Sequence, residues 1–297
     1  MPLSKVADRI NWMLMRSPYR FVRKSLARAS NLAAVQQRRA TFADLELDEA
    51  QRRAVASLRE RGYVSAEGIV DHSRLEAAYA RAIAKTRDEG VKEQSRLNHG
   101  KDFWERLLDE DLVEDGRQPA SSPFVQIAID ERVLSVASAY LQDAPLLDYI
   151  YLLHSTHRPG PLKVSQLWHK DYDDTRVLKL FVYFTDCERD EDGPFTFIPA
   201  DISSKIPFAL HSHRTDKELG IESLSAPPVA MKAPRLTAFF VDTSRCYHMG
   251  SRVAPGHERL LFMGTYTTFP KFNGRPTNRF ALDTPLSDRQ RMALTYG

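Results

Sequence analysis

The chain has 297 residues, 42% hydrophobic and 27% charged, and its 42 Lys and Arg against 39 Asp and Glu leave a formal net charge of +3. These are the proportions of a globular protein with ample core material, and all-β barrels with added helices use this length for one domain. Two distant cysteines, Cys187 and Cys246, in no metal-binding spacing, exclude a disulfide scaffold and point to a reducing, cytoplasmic compartment.

Charge is unevenly placed. Residues 1–40 carry nine Lys or Arg against Asp8 alone, a local charge of +8 that leaves −5 for the rest of the chain. Basic charge confined to one end, without aromatic residues interleaved on a sheet, is a poor footprint for nucleic acid. Arg16 interrupts the apolar run that starts at Ile10, so the leader is neither a secretory signal nor a spanning helix. Ile10, Met13, Leu14, Phe21 and Val22 recur at helical spacing, with Pro18 between two short amphipathic pieces. Two readings of residues 1–30 stand side by side: peripheral contact with an anionic membrane, or a helix folded onto its own domain with its basic face in water. The leader is bounded at residue 44, and residues 45–297 are read as one domain.

A helix is expected over residues 48–61, stopped by Gly62, and a second one, capped by Asp71 or Ser73, ending near Gly90. A third is expected at 103–112, a loop over 114–122, and a helix over 131–142 capped by Asp130. Strands then dominate, at 147–154, 163–169, 176–185, 195–199, 236–241 and 259–269, short and rich in β-branched and aromatic residues. Helices first and strands afterwards predict an α+β protein with a jelly-roll core of two facing sheets. Residues 201–228 form a long, weakly patterned stretch containing His211 and His213, a candidate lid.

Within Gln166-Leu-Trp-His-Lys-Asp171, an extended backbone points His169 and Asp171 to one face and Lys170 to the other. That pair can hold a cation. A third ligand is offered by His248, in the turn after the apolar run 236–241. Two imidazoles and one carboxylate make the facial triad of non-haem Fe(II) oxygenases, which leaves coordination positions open. Arg259 follows eleven residues later, at the head of a strand.

His169-x-Asp171, His248 and Arg259 together resemble the phytanoyl-CoA dioxygenase-like family of Fe(II)- and 2-oxoglutarate-dependent oxygenases. The strand from Arg176 to Asp186 and the return Gly193-Pro194-Phe195-Thr196-Phe197-Ile198-Pro199 extend the likeness, which covers residues 45–280. One departure is Ala200-Asp201-Ile202, where many members have Gly-Ser-His; it leaves the substrate open. The resemblance implies a double-stranded β-helix (jelly-roll, cupin-like) core braced by N-terminal helices. It implies Fe(II) on His169, Asp171 and His248, and 2-oxoglutarate and O2 as co-substrates. Arg259 would hold the distal carboxylate, since a guanidinium grips a carboxylate bidentately, with Thr196 and Gln166 as further contacts. The expected reaction is hydroxylation with release of succinate and CO2, because related halogenases lack the carboxylate supplied here by Asp171. Trp168 is either packing behind the site or a contact within it, and Cys246 a small buried filler. A basic rim of His157, Arg158, Lys163 and Arg252 favours a small anionic or heavily polar substrate, and membrane contact by the leader a lipid-linked one. The competing readings are a non-catalytic jelly-roll binding protein and a Zn(II) hydrolase.

Overall fold

The computed structural model describes residues 17–98, 103–113, 115–207, 212–250, 252–271 and 276–296. The expectations for residues 1–16 and for His211 lie outside them. Helices α1 (Tyr19–Ser30) and α2 (Leu32–Thr41) follow Pro18. Several of their basic side chains turn toward the body, Lys24 and Arg38 becoming buried while Arg23 stays exposed. Lys24 Nζ donates to Asp174 Oδ2 at 2.6 Å and to the Thr268 carbonyl at 2.8 Å. Arg28 and Arg39 share Asp143, and Arg38 donates to the carbonyls of Met292 and Thr295. The reading of a helix folded onto its own domain is thus altered in one respect: body carboxylates and carbonyls, not water alone, take Lys24, Arg28, Arg38 and Arg39, while Tyr19, Phe21, Val22 and Leu26 are left exposed.

Helix α3 (Glu49–Arg61) begins with a capping box, Asp48 accepting from the Gln51 amide and Gln51 from that of Asp48. It buries Ala54, Val55 and Leu58 and ends at Gly62, whose φ of 81° suits glycine. A Cβ at Gly62 would also stand 2.6 Å from Cys246 Sγ, so Cys246 is the packing residue the sequence suggests. β1 (Tyr63–Ser65) leads to α4 (His72–Thr86), capped by Asp71, and α5 (Glu89–Asn98). The second helix therefore stops at Thr86, before the expected Gly90. The helix expected over 103–112 is replaced by β2 (Trp104–Arg106) and one 3-10 turn. Trp104 to Arg106 pair with the edge of a sheet, a long-range partner that outweighs local helical preference. After β3 (Gln118–Pro119), α6 (Pro123–Ala128) and α7 (Glu131–Leu141, capped by Asp130) complete the helical layer.

The large sheet contains β4 (Pro145–Thr156), β5 (Leu178–Tyr183), β8 (Ala238–Asp242) and β10 (Glu258–Thr268). With β1 and β2 at its edges, the order is β1-β8-β5-β10-β4-β2, antiparallel throughout. Alternation along each strand decides its two faces. Leu180, Val182, Phe240, Leu260 and Phe262 join the helices in the main core. Phe181, Tyr183, Phe239, Leu261 and Met263 face a small three-stranded antiparallel sheet of β6 (Thr196–Phe197), β7 (Val229–Ala230) and β9 (His248–Met249). Phe195 closes the gap between the sheets, its ring centroid 4.3 Å from Phe181 and 6.2 Å from Phe239. β11 (Phe280–Ala281) pairs with β3, and α10 (Asp288–Leu294) ends the described chain.

The expected strand at 163–169 is instead a 3-10 turn, Val164–Gln166, followed by single bridges from Trp168 to Arg214 and from His169 to His248. The described part of the stretch expected as a lid packs largely behind the small sheet, while its His213 lies against His169. Its short helices α8 (Ala200–Ser203) and α9 (Asp216–Leu219) bring Ile202 and Leu219 against Trp168, Ile198 and Tyr247. These apolar side chains bury themselves on the sheet's outer surface, which holds the segment there.

Candidate metal centre

His169 and His248 face each other as a hydrogen-bonded antiparallel pair, with N–H to carbonyl distances of 3.0 and 2.9 Å in the two directions. Their ring centroids are 4.2 Å apart. Asp171 is tied to the same neighbourhood through its amide, which donates to the Thr243 carbonyl at 3.0 Å. The turn that delivers His248 is held by buried Asp242, which accepts from Ser244 Oγ at 2.6 Å, from the Ser244 and Arg245 amides, and from the Tyr140 hydroxyl.

The donor atoms of His169, Asp171 and His248 all lie within 4.8 Å of one another. Each imidazole is also oriented. His169 Nδ1 lies 2.9 Å from the Leu167 carbonyl and His248 Nδ1 3.1 Å from that of Cys246. A carbonyl only accepts, so each Nδ1 carries the proton and each Nε2 presents its lone pair. Burial, with the neighbouring imidazole, lowers the His169 pKa to about 3; burial lowers that of His248 to about 4 despite Asp171. Both are neutral at pH 7. Burial pushes the Asp171 carboxyl up, but Lys179 and the two imidazoles outweigh it and hold it well below the usual range. Two neutral nitrogen donors and one carboxylate are the donor set that suits Fe(II) or a similar dication, so the residues fit the expected metal.

The triad opens on a cavity of about 150 Å³ lined by Tyr149, Tyr151, Phe181, Phe195 and Met263 among others. Arg259 also lines it, 1% exposed, its guanidinium donating to the Gly193 carbonyl. Gly250 makes room, since a Cβ there would lie 3.4 Å from Arg259 Nη1. Thr196 and Gln166 do not line the cavity. Phe195 and Phe197 face inward, so alternation turns Thr196 outward, and its hydroxyl donates to the Pro194 carbonyl. Gln166 Oε1 accepts from the Lys163 amide, closing the 3-10 turn. Trp168 packs on the outer side, its indole N–H donating to Asp216. His213 stacks on His169 with centroids 5.1 Å apart. Of the expected basic rim, Arg252 pairs with Asp216 and His157 bonds the Val253 carbonyl, while Arg158 and Lys163 are exposed.

Among the cavity residues that escaped the sequence reading, Lys179 and Ser165 bear on its chemistry. Lys179 places Nζ 2.7 Å from Asp171 Oδ2, at ion-pair distance though not aligned as a hydrogen bond. Its signal was there: alternation puts it on the face of Phe181 and Tyr183. Ser165 has a buried hydroxyl without a partner among the described residues and follows Val164, whose φ of 44° is strained for a β-branched side chain. No local pattern announces it.

No protein-family model and no curated protein sequence matches the chain. Solved structures do. The epimerase SnoN, in complex with Fe3+, α-ketoglutarate and nogalamycin RO, aligns with a TM-score of 0.52 at 17% identity over 74% of this chain and 84% of that one. EctD from S. alaskensis with bound Fe aligns with a TM-score of 0.54 at 15% identity, covering 80% and 91%. The chain shares its fold with these enzymes. AviO1 from Streptomyces viridochromogenes aligns with a TM-score of 0.50 at 17% identity, covering 76% and 98%.

Proposed function

We propose that the chain is an Fe(II)- and 2-oxoglutarate-dependent dioxygenase of the phytanoyl-CoA dioxygenase-like kind, with a double-stranded β-helix core, that hydroxylates a small polar or anionic metabolite. The observation that carries this is the convergence of His169, Asp171 and His248 on a cavity that also holds a buried arginine. SnoN with Fe3+ and α-ketoglutarate, and EctD with Fe, support it through the shared fold.

His169, Asp171 and His248 would hold the metal. Arg259 would take the distal carboxylate of 2-oxoglutarate, a buried guanidinium gaining most from a bidentate anion. Tyr149, Tyr151 and Phe181 wall the cavity and exclude water from the reacting groups. When bound, the metal and the 2-oxo acid supply the oxidising chemistry, with succinate and CO2 released and one oxygen atom passed to the substrate. Arg259 also favours this reading over a Zn(II) hydrolase, which has less use for a buried carboxylate anchor. The test is purification without oxygen, then addition of Fe(II), 2-oxoglutarate and air, with succinate measured. Substrate-independent succinate above the His169→Ala background supports the proposal; its absence favours a binding protein.

We also propose that the leader meets an anionic bilayer. No helix among the described residues is long and apolar enough to cross a membrane. The exposed side chains of Tyr19, Phe21, Val22 and Leu26 support peripheral contact, with Lys5, Arg9 and Arg16 as further basic residues of the leader.

A further inference from the structure

Lys179 is a cation built into the wall of a site that has to take a dication. Its strand lies inside the large sheet, in register with Val241 on one side and Thr265 on the other, so its backbone is held by both neighbours. The side chain is 7% exposed, and its ammonium sits 5.6 Å from the centroid of the Tyr149 ring. Asp171 Oδ2 is 2.7 Å from this ammonium and 3.6 Å from His248 Nε2, while Oδ1 is 3.9 Å from His169 Nε2. The carboxylate therefore pairs with the lysine while standing beside the two imidazole lone pairs.

A metal on the triad draws on the same carboxylate. The ammonium then keeps its burial but loses part of its counter-charge, and a buried charge short of a partner favours any anion within reach. Lys179 and Arg259 face Asp171 as the charged residues lining the cavity, beside two neutral imidazoles. A bound dication raises the total to +3, and a dianion lowers it to +1. Arg259 lies six residues along β10 from Thr265, the partner of Lys179, so the two cations reach the one cavity from positions well apart along the sheet. The triad stands at the Lys179 end.

We propose that Lys179 positions anions at the metal centre: it weakens the hold on the metal and strengthens the hold on a carboxylate ligand, such as a 2-oxo dicarboxylate, at the metal's open positions. This rests on the reading that a dication and a 2-oxo acid bind here. A residue that merely supported Asp171 would, on removal, weaken both. An anion-positioning lysine gives opposite signs.

The experiment is calorimetric titration of Co(II), without co-substrate, into wild type, Lys179→Met and Lys179→Arg, followed by 2-oxoglutarate into each Co(II)-loaded protein. Lys179→Met should bind Co(II) about tenfold tighter and 2-oxoglutarate about tenfold weaker, as removing a nearby positive charge requires. Lys179→Arg, which keeps the charge, should stay near wild type in both. Loss of both affinities, or no change in either, overturns the proposal; Lys179→Gln replaces the methionine variant if that one does not fold. Wild-type protein that takes Co(II) but ignores 2-oxoglutarate sinks the oxygenase reading alone. Lys179 is then judged with oxalate as the anion, where the same opposite signs are expected and their absence overturns it.

Discussion

Lys24 and Asp174 form an ion pair across 150 residues of sequence, Nζ to Oδ2 at 2.6 Å, with their side chains 4% and 0% exposed. Asp174 lies three residues beyond Asp171, so the N-terminal helix clamps the segment that carries a candidate metal ligand. Removing one partner of a buried pair leaves an uncompensated charge and typically costs about 3–5 kcal/mol. Lys24→Ala should lose stability of that order in urea denaturation. It should also lower Co(II) affinity by about tenfold, as loss of a supporting contact does, whereas Arg53→Ala, at an exposed pair with Glu49, should change neither.

His169→Ala and His248→Ala should each lose metal binding by more than the roughly 10–100-fold seen when a supporting partner is removed. The fold should survive, because the aromatic contacts among Phe181, Phe195 and Phe239 hold the sheets together beside the site. Metal content after dialysis, read beside the circular dichroism spectrum, checks both halves. Wild-type metal content in both variants would refute the site.

Arg259→Ala should leave Co(II) affinity nearly unchanged and weaken 2-oxoglutarate by about a hundred- to a few-thousand-fold, the equivalent of about 3–5 kcal/mol for an anion left without its buried partner. Other arginines are poorly placed to substitute. Arg245 donates to the Leu58 and Arg59 carbonyls, and Arg252 to Asp216 and the Gln166 carbonyl. Titration of the metal-loaded variant decides the matter, and an unchanged dissociation constant would remove Arg259 from the site.

His154 gives a pH signature outside the metal centre. Its ring sits 3.1 Å from Glu105 and 2.8 Å from Glu258. Burial lowers its pKa, but the two carboxylates outweigh that and raise it above the ordinary value. A raised folded-state value means the charged ring stabilises the fold fully below the unfolded pKa of about 6.5, with the gain lost as pH climbs through the folded value. Wild type should therefore lose stability relative to His154→Gln as pH rises above about 6.5, measured by denaturant midpoints. Parallel profiles would contradict this.

The full chain should sediment with anionic vesicles more at low salt than at high salt, each basic residue near the surface contributing roughly 1 kcal/mol. Phe21→Ser combined with Leu26→Ser, both exposed in the fold, should reduce the bound fraction. Equal recovery of both proteins in the supernatant would leave the leader as a clamp on its own domain.

Local chemistry determined much of this protein from sequence. Helix α3 was readable because Asp48, Gln51 and Gly62 act on backbone within one turn of themselves, and His169 and Asp171 because two residues of extended chain restore the same face. Partners distant in sequence decided the rest. Residues 104–106 became a strand because the edge of β4 was available; Thr196 was turned away from the cavity by the inward packing of Phe195 and Phe197. The leader's cations met Asp143 and Asp174 rather than water. Alternation puts Lys179 on the inward face, but its role appears only when the fold brings Asp171 to 2.7 Å from it. Register and burial are properties of pairs of segments, and a charge acquires its role only from what shares its low-dielectric surroundings.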